Sequence, residues 1–388
     1  MTNPGLTARL AGPVSKIGAA AWNVCANPAG AADPHPFTRY EFFHALEESR
    51  SAVPETGWRP LHLVIERDDR IAGILPLYMK NHSQGEFVFD HAWADALERA
   101  GGAYYPKLQS GVPFTPVTGR RFLIAAEADE AGTRTALLAA GAAVVEQLSV
   151  SSLHITFPTE DEWHAAGEFG YLQRTDRQFH WENRGYKNFD EFLGEFSSAK
   201  RKNLRKERAS VRDTGVEFEW LTGSDITEGH WDAFFDFYMD TGGRKWGTPY
   251  LTREFFSRIG QSMPEQVLLI MARHSGRYIA GALNLFGQGV LFGRNWGCIE
   301  FVPFLHFETC YYQAIEFAIA RGLAKVEAGA QGEHKLLRGY QPVATYSAHF
   351  IAHTGLRRAV ADYLRAEREA IAENIEDLGQ AGPFKKSF

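Results

Sequence analysis

The chain has 388 residues, of which 45% are hydrophobic and 23% charged, a composition typical of a soluble globular protein with two or three domains. Lys and Arg number 41 against 47 Asp and Glu, a formal net charge of −6, which excludes a general nucleic-acid coat and confines any polyanion contact to a local patch. The three cysteines lack CxxC spacing, which excludes a disulfide framework and a thiolate zinc site. No apolar run reaches the roughly 18–20 residues that span a bilayer and no signal segment is recognisable, so we expect a cytoplasmic protein.

Three short segments recur in the same order along the chain, which indicates an internal repeat. The triplet Glu-Phe-Phe at 41–43 returns at 254–256, Ile-Ala-Gly-x-Leu-x-Leu at 71–77 returns at 279–285, and Gly-Tyr-x8-His at 170–180 returns at 339–349. We therefore predict two related units, at 1–184 and 185–388.

The first copy contains an insertion. The offset between the copies falls from 208 residues at the second segment to 169 at the third, so the first copy is 39 residues longer. Three prolines and four glycines lie in 101–119, which predicts a long ordered loop there. Its Tyr105, Lys107 and Phe114 are candidates for substrate contact, and the alternative is a loop that packs over the edge of the core.

Hydrophobic periodicity and turn residues in the second copy predict an α/β fold, or α+β with a mixed sheet. The predicted elements are, in chain order, a basic helix at about 198–213, strands at Gln266–Arg273, Tyr278–Phe286 and Val290–Trp296, a helix at Phe307–Arg321, a strand at Lys325–Ala330, a helical stretch at Glu333–Gly339, a strand at Ala344–His353 and a C-terminal helix near Leu356–Leu378.

Long motifs in both halves resemble one bacterial family. Residues 305–313 (LHFETCYYQ) and 327–340 (EAGAQGEHKLLRGY), with 82–90, 105–108 and 113–117 in the first half, resemble the FemAB-like predicted N-acyltransferases, which are linked to peptidoglycan biosynthesis or recognition. The resemblance extends from about Pro36 to His353. It implies two GNAT-type acyltransferase units in tandem, as in the FemABX enzymes, and transfer of an acyl or aminoacyl group to an amine.

The turn before the helix predicted at 307–321 bears on the donor. GNAT enzymes bind the pyrophosphate of acetyl-CoA with backbone N–H groups of a basic, glycine-rich turn, whereas 301–306 (FVPFLH) contains neither glycine nor arginine. FemABX-type enzymes, which use aminoacyl-tRNA, also lack such a turn. The donor therefore stays open between aminoacyl-tRNA, acyl-CoA and acyl carrier protein, and we expect no bound cofactor and no metal.

Acyl transfer to an amine needs a proton acceptor for the amine and a positive group near the developing oxyanion. Glu327, beside a glycine at the end of a predicted strand, is the first candidate for the amine, and the alternative is a helix cap or an ion pair with Arg338. Glu333, His334 and Lys335 follow it. His334 could act as a base near neutral pH. Lys335 could hold an oxyanion or a phosphate, and FemABX enzymes have a lysine in a comparable segment. The alternative for all three is an exposed helical turn.

Further residues near this segment are candidates for substrate binding. His306 and Glu308 stand at the entrance of the predicted helix, where they could shape the acyl site or simply cap the helix. Gln331 shares the strand face of Glu327, and Arg338 follows Lys335.

The basic helix is the one patch suited to a polyanion. Its Lys200, Arg201 and Arg205 could contact a phosphate-bearing donor such as tRNA or CoA, an acidic carrier protein or an anionic lipid surface. The alternative is a solvated linker helix.

The sequence predicts an N-acyltransferase that moves an acyl or aminoacyl group from an activated donor to a small or lipid-linked amine by direct attack. One alternative is a long-chain acyl-CoA or acyl carrier protein-dependent enzyme acting on a lipid amine or an amino acid. Another is a non-catalytic module that binds tRNA or cell-wall precursors. We expect no DNA partner and at most peripheral contact with a membrane.

Overall fold

The computed structural model describes residues 5–245, 249–329 and 332–385. Its strands are β1 (Leu6–Leu10), β2 (Trp58–Pro60), β3 (Leu63–Arg67), β4 (Arg70–Leu75), β5 (Leu77–Lys80), β6 (Lys107–Ser110), β7 (Leu123–Ile124), β8 (Ser152–Thr156), β9 (Leu172–Glu182), β10 (Glu217–Thr222), β11 (Val267–His274), β12 (Arg277–Gly287), β13 (Val290–Cys298), β14 (Lys325–Glu327) and β15 (Gln341–Ile351).

The helices alternate with these strands. They are α1 (Ala19–Ala26), α2 (Tyr40–Glu48), α3 (His91–Arg99), α4 (Glu130–Gln147), α5 (Glu160–Phe169), α6 (Phe189–Gly194), α7 (Ser198–Arg212), α8 (Glu228–Lys245), α9 (Arg253–Ser262), α10 (Leu305–Phe307), α11 (Gln313–Ala320) and α12 (Thr354–Gln380). A π-helical turn at Glu308–Tyr312 joins α10 to α11, and a 3₁₀ helix spans Glu333–Arg338.

Tertiary contacts divide the chain into two units. Unit 1 comprises Met1–Asp176 and Ala344–Glu373, and unit 2 comprises Arg177–Val343 and Asn374–Phe388. The division predicted at 184 and 185 lies close to the first of these crossings. Most of the last strand, from Ala344 onward, and α12 up to Glu373 lie in unit 1, however, because β15 pairs with β8 and α12 packs beside Ile351.

Each unit is built on a mixed sheet. In unit 1, β1, β3, β4 and β7 form an antiparallel sheet, and a second sheet has the order β15, β8, β6, β5, β2, in which the β8–β6 pair is parallel. In unit 2 the order is β10, β11, β12, β13, β14, β9, in which the β13–β14 pair is parallel.

The sequence repeat corresponds to a structural repeat. The Glu-Phe-Phe segments lie on α2 and α9, where their phenylalanines are buried, and the second segments form β4 and the start of β12. Gly170 and Gly339 both end a helix with a left-handed backbone, at φ of 107° and 88°, before β9 and β15 begin. This conformation is open to glycine at little steric cost, which explains the residue type at both positions.

Three predicted elements differ from the structure. The loop predicted at 101–119 contains strand β6, because Lys107–Ser110 pairs with β5 and β8, a contact that its short and mixed sequence does not signal. The strand predicted at Lys325–Ala330 ends at Glu327. The helix predicted from Phe307 begins at Leu305 and includes the π-helical turn.

Helix α8 packs against β13 at a glycine. A Cβ atom added to Gly297 would lie 2.1 Å from the carbonyl oxygen of Phe237, which is backbone and cannot rotate away. The absence of a side chain at Gly297 therefore sets how closely α8 approaches the sheet of unit 2.

We predict that Gly297→Ala lowers the free energy of unfolding by about 1–3 kcal/mol or more, since the methyl group must push α8 away from β13. Gly243, exposed within the same helix and with nothing within 4 Å of its added Cβ, is the matched control. Gly243→Ala should raise stability by about 0.5–1 kcal/mol through helix propensity. Urea denaturation of both variants measures the difference, and equal stability would contradict the predicted contact.

Candidate active site

The two parallel strands of unit 2 part near their ends. β13 pairs with β14 at three positions, Val290 with Lys325, Leu291 with Val326 and Phe292 with Glu327. β14 ends there, whereas β13 continues to Cys298 against β12. The sheet therefore opens next to Glu327, where backbone polar groups of β13 no longer have β14 as a partner and can meet a ligand.

Glu327 is a buried carboxyl group whose nearby cations, Lys325 and Arg294, do not offset its burial. Its Oε1 lies 3.7 Å from His180 Nδ1 and 3.7 Å from Lys325 Nζ, both too long for a hydrogen bond. Its Oε2 is buried and has no hydrogen-bond partner among the described residues. Burial raises the pKa of Glu327 to about 7. Both protonation states are therefore accessible near neutral pH, as a general base requires.

His180, on the neighbouring strand β9, stays neutral beside this carboxyl group. Burial, together with the positive charges of Lys325 and Lys335, lowers its pKa to about 3. His180 thus lies beside Glu327 and within the electrostatic influence of both lysines.

Lys335 lies on the 3₁₀ helix and is buried. Its Nζ donates a hydrogen bond to the carbonyl oxygen of Gly329, at 2.8 Å. Burial lowers its pKa to about 8, so the ammonium form still predominates at pH 7. The structure thus holds the ammonium group of Lys335 at the carbonyl oxygen of Gly329, which lies two residues after Glu327 in the chain.

His334 and His306 belong to an aromatic cluster and not to the charged one. Tyr311 and His334 share a hydrogen bond of 2.8 Å between the hydroxyl group and Nε2, and His306 contacts the rings of Trp296 and Phe307. Burial lowers the pKa of His334, and Arg338 and Lys335 lower it further.

Glu333 is largely exposed and pairs with Arg177 at 2.7 Å, whereas Gln331 lies outside the described residues.

The predicted substrate contacts of Glu308 and Arg338 compete with ion pairs inside unit 2. Arg208 of α7 binds Glu308, with the shortest nitrogen-to-oxygen distance 2.8 Å. Arg338 donates to both carboxylate oxygens of Glu207 at 2.9 Å and its guanidinium lies 3.4 Å from the ring centre of Phe307. Both residues therefore connect α7 to the segments around the opening, and Glu327 is not the partner of Arg338.

The basic helix α7 is less uniformly exposed than its sequence suggests. Leu204 is buried as predicted, and Arg208 points inward to its carboxylate partners. Lys200 and Arg201 are half-buried near the start of the helix, and Arg205 is exposed and lies 3.2 Å from Asp190. A cavity of about 750 Å³ beside this helix is lined by acidic as well as basic side chains, so the helix presents a mixed surface at that point.

In unit 1, Lys107 and Phe114 are buried and Tyr105 is half-buried. Lys107 Nζ donates to Glu86 at 2.7 Å and also binds Asp90. Direct contact of Lys107 or Phe114 with substrate would require this part of unit 1 to open. Reasoning from the sequence alone missed Glu86 and Asp90 as charged partners, although both lie in the quoted motif at 82–90.

Neither a metal centre nor a transmembrane helix is evident in the described part of the chain. Within 5–245, 249–329 and 332–385, no group of three or more His, Cys, Asp or Glu side chains could hold a metal ion. In the same ranges no helix combines the length and the apolar character needed to cross a bilayer.

We predict that the carboxylate form of Glu327 lowers the free energy of unfolding at neutral and alkaline pH. Its carboxyl group has a pKa of about 7 in the folded chain against an ordinary value of 4.5, so the stability that its proton provides is complete below about pH 4.5 and is lost as pH rises through 7. Glu327→Gln should therefore raise the free energy of unfolding by on the order of 1–3 kcal/mol at pH 8, with a smaller gain at pH 5.

Urea denaturation at the two pH values measures this difference. The exposed Glu369→Gln on α12 is the control and should show no pH-dependent change. A variant Glu327→Gln that is less stable than the parent at pH 8 would contradict the unpaired state of the carboxyl group.

Comparisons with known proteins agree with this geometry. The FemAB-like family model, described as peptidoglycan biosynthesis/recognition, matches residues 13–386. No curated protein matches the sequence.

Among solved structures, FemX is 12% identical with a TM-score of 0.54, and the match covers 88% of this chain and 98% of that one. L-PGS from Bacillus licheniformis is 11% identical with a TM-score of 0.51, covering 83% of this chain and 94% of that one. At these identities the likeness concerns the fold, and the predicted α/β arrangement of two GNAT-like units in tandem is confirmed. The chain belongs to the FemAB-like family of peptidoglycan biosynthesis and recognition.

Proposed function

We propose that unit 2 transfers an acyl or aminoacyl group from an activated donor directly to an amine. The observation that carries the proposal is Glu327, a buried carboxyl group with an unpartnered oxygen at the point where two parallel strands part. Such a group lacks a structural partner that would account for its burial, and an amine with N–H donors would provide one.

In the proposed reaction, the protonated amine first gives a proton to the carboxylate of Glu327. The amine nitrogen then attacks the carbonyl carbon of the donor, and the carbonyl electron pair moves onto oxygen, where the ammonium group of Lys335 would stabilise it. Return of that pair expels the ester oxygen of a tRNA or the sulfur of a thioester, which takes the proton that the nitrogen loses as the amide forms. No covalent enzyme intermediate is needed, because proximity of the two substrates suffices.

The family description, peptidoglycan biosynthesis/recognition, supports an amine of a peptidoglycan precursor as acceptor. The resemblance of the sequence motifs to FemABX-type enzymes supports an aminoacyl-tRNA as donor. Lys200, Arg201 and Arg205 on α7 would then contact the phosphates of the donor. His306 and His334 would line the acyl site through their aromatic neighbours, and precursors made in the cytoplasm would be the natural substrates.

A second donor class is favoured by one feature of unit 2. Apolar side chains at the turn between β13 and α10 are exposed, with 44% of Ile299, 88% of Phe301 and 41% of Phe304 accessible. Large apolar side chains exposed together indicate contact with an apolar ligand or surface. A long-chain acyl group carried by CoA or acyl carrier protein would cover them.

We predict that Glu327→Gln and Lys335→Ala each lower the rate of transfer at least about 100-fold, because the first removes the proton acceptor and the second removes the charge near the oxyanion. Native mass spectrometry of ligands that co-purify with the protein identifies the substrates, and single-turnover assays with them measure the rate. The exposed Glu369→Gln and Lys187→Ala are matched charge controls and should retain full activity. Unchanged turnover in Glu327→Gln and Lys335→Ala, with circular dichroism as for the parent, would rule out the proposed site.

A separate prediction distinguishes the donors. If a long-chain thioester is used, Phe301→Ser should lower kcat/KM for it by about 10-fold or more, since the burial of one phenylalanine side chain is worth about 1.5–3 kcal/mol. The same variant should leave transfer from aminoacyl-tRNA unchanged. The parent and Phe301→Ser are compared with a long-chain acyl-CoA and again with the same acyl group on acyl carrier protein. If kcat/KM of the two proteins is equal with both donors, the long-chain donor is excluded.

A further inference from the structure

One face of the second sheet of unit 1 is polar although it is buried. The strand register places His349, His154 and Gln109 in one row across β15, β8 and β6. Lys107 and Lys80 form a neighbouring row on the same face across β6 and β5. The opposite face belongs to the apolar core and carries Leu77, Leu108, Leu153, Ile155 and Ala348. A polar sheet face usually lies in water, whereas these five polar side chains are at most 2% exposed.

The segment at 81–90, between β5 and α3, covers this face without forming a helix or a strand. Lys107 Nζ donates to Ser83 at 2.8 Å and to Glu86 at 2.7 Å, and it also binds Asp90. Lys80 Nζ donates to the carbonyl oxygen of Gln84 at 3.1 Å. Two lysines of the sheet thus hold the segment in place through polar contacts.

Three hydrogen-bond acceptors in this cluster are buried and have no donor among the described residues. They are Glu86 Oε1, Asp90 Oδ1 and Gln109 Oε1. Lys80 Nζ lies 3.9 Å from Glu86 Oε1, which is too long for a hydrogen bond. Trp58 Nε1 is one unpaired donor on the same face. Buried acceptors of this kind normally have donors, so these acceptors are open to a ligand that carries N–H groups.

Asp90 is in a position where an aspartate would ordinarily be satisfied. It immediately precedes α3, and aspartate at this position usually accepts a hydrogen bond from a backbone N–H group of the first turn. Here its side chain makes no such bond. It instead accepts from the hydroxyl group of Tyr104 at 2.7 Å and binds Lys107. Asp90 therefore does not cap α3 and belongs to the buried cluster instead.

The protonation states of Glu86 and Lys80 also favour an additional positive group in the cluster. Burial raises the pKa of Glu86 to about 7 and lowers the pKa of Lys80 to about 7. Near neutral pH, Lys80 therefore carries a full positive charge only part of the time, and Glu86 is a carboxylate only part of the time. A further positive group with N–H donors would stabilise the carboxylates of Glu86 and Asp90, to which Lys107 is the only cation that now donates hydrogen bonds among the described residues.

We propose that this buried polar face of unit 1 is a binding site for a primary ammonium group, which Glu86 and Asp90, joined through Lys107, would hold through their unpaired oxygens. An ammonium group supplies three N–H donors and one positive charge, and the two carboxyl groups each offer an unpaired acceptor. Tyr105 is half-buried and its hydroxyl group lies 2.8 Å from Ser83 Oγ, so the ligand would enter at this edge of the segment. The site is separate from Glu327 and does not depend on the proposed transfer.

Calorimetric titration of the full-length Glu327→Gln variant with n-butylamine tests the proposal. In this variant the carboxylate proposed to accept a proton from an amine is absent, so binding reports on unit 1. We expect saturable binding of one n-butylamine per chain. n-Butanol, which is neutral, and tetramethylammonium, which has no N–H group, should bind at least about 10-fold more weakly.

Further substitution locates the bound amine. Added to Glu327→Gln, either Glu86→Gln or Asp90→Asn should weaken n-butylamine binding by about 10-fold or more, because each removes a charge-assisted hydrogen bond. Glu98→Gln, an exposed position on α3, is the matched control and should not change the affinity. In the Glu327→Gln chain without further changes, n-butylamine should slow hydrogen exchange at 81–90 and 104–110. Absence of saturable binding, equal binding of tetramethylammonium, or protection elsewhere in the chain would overturn the proposal, whatever the outcome for transfer.

Discussion

β13 and β14 are paired over three residues, and the arrangement of the candidate active site depends on where that pairing ends. The helix that connects the two strands sets this point, because Ile315 and Ala318 of α11 are buried in one core with Leu291 and Val326 of the strands. With β14 held in that register, Glu327 is the last paired residue and its carboxyl group stays buried at the opening. Packing of apolar side chains thus keeps a carboxyl group in a place that raises its pKa to about 7.

Much of the fold could be predicted because its signals are local or periodic. The repeated segments revealed two units, since each marks a helix, a hairpin or a helix end that recurs in the same order. Strands β11 to β13 were predicted within two residues by their apolar runs and the turn at 287–289. The end of β14 and the membership of β15 were not predictable in this way, because both depend on which distant strand lies alongside.

The candidate site was predictable in residue type but not in contacts. Glu327 and Lys335 stood out because a carboxylate and an ammonium group follow a short strand, and both side chains are buried. The basic helix was recognisable as a helix, but a run of cations gives no sign that Arg208 turns inward to two carboxylates. The polar face of unit 1 was equally hidden, because its rows combine strands as distant in the chain as β2 and β15.

β9 and β15 each begin in one unit and continue into the other, which has a consequence for synthesis on the ribosome. Residues 177–343 separate the two parts of unit 1 along the chain. At about 5–20 residues per second, the last part of unit 1 is made roughly 10–40 seconds after the first part is complete. Throughout that interval β8 lacks the neighbour that β15 later provides, and its open edge can pair with another nascent strand. The order of the chain thus delays completion of the unit that is started first until most of the other unit has been made.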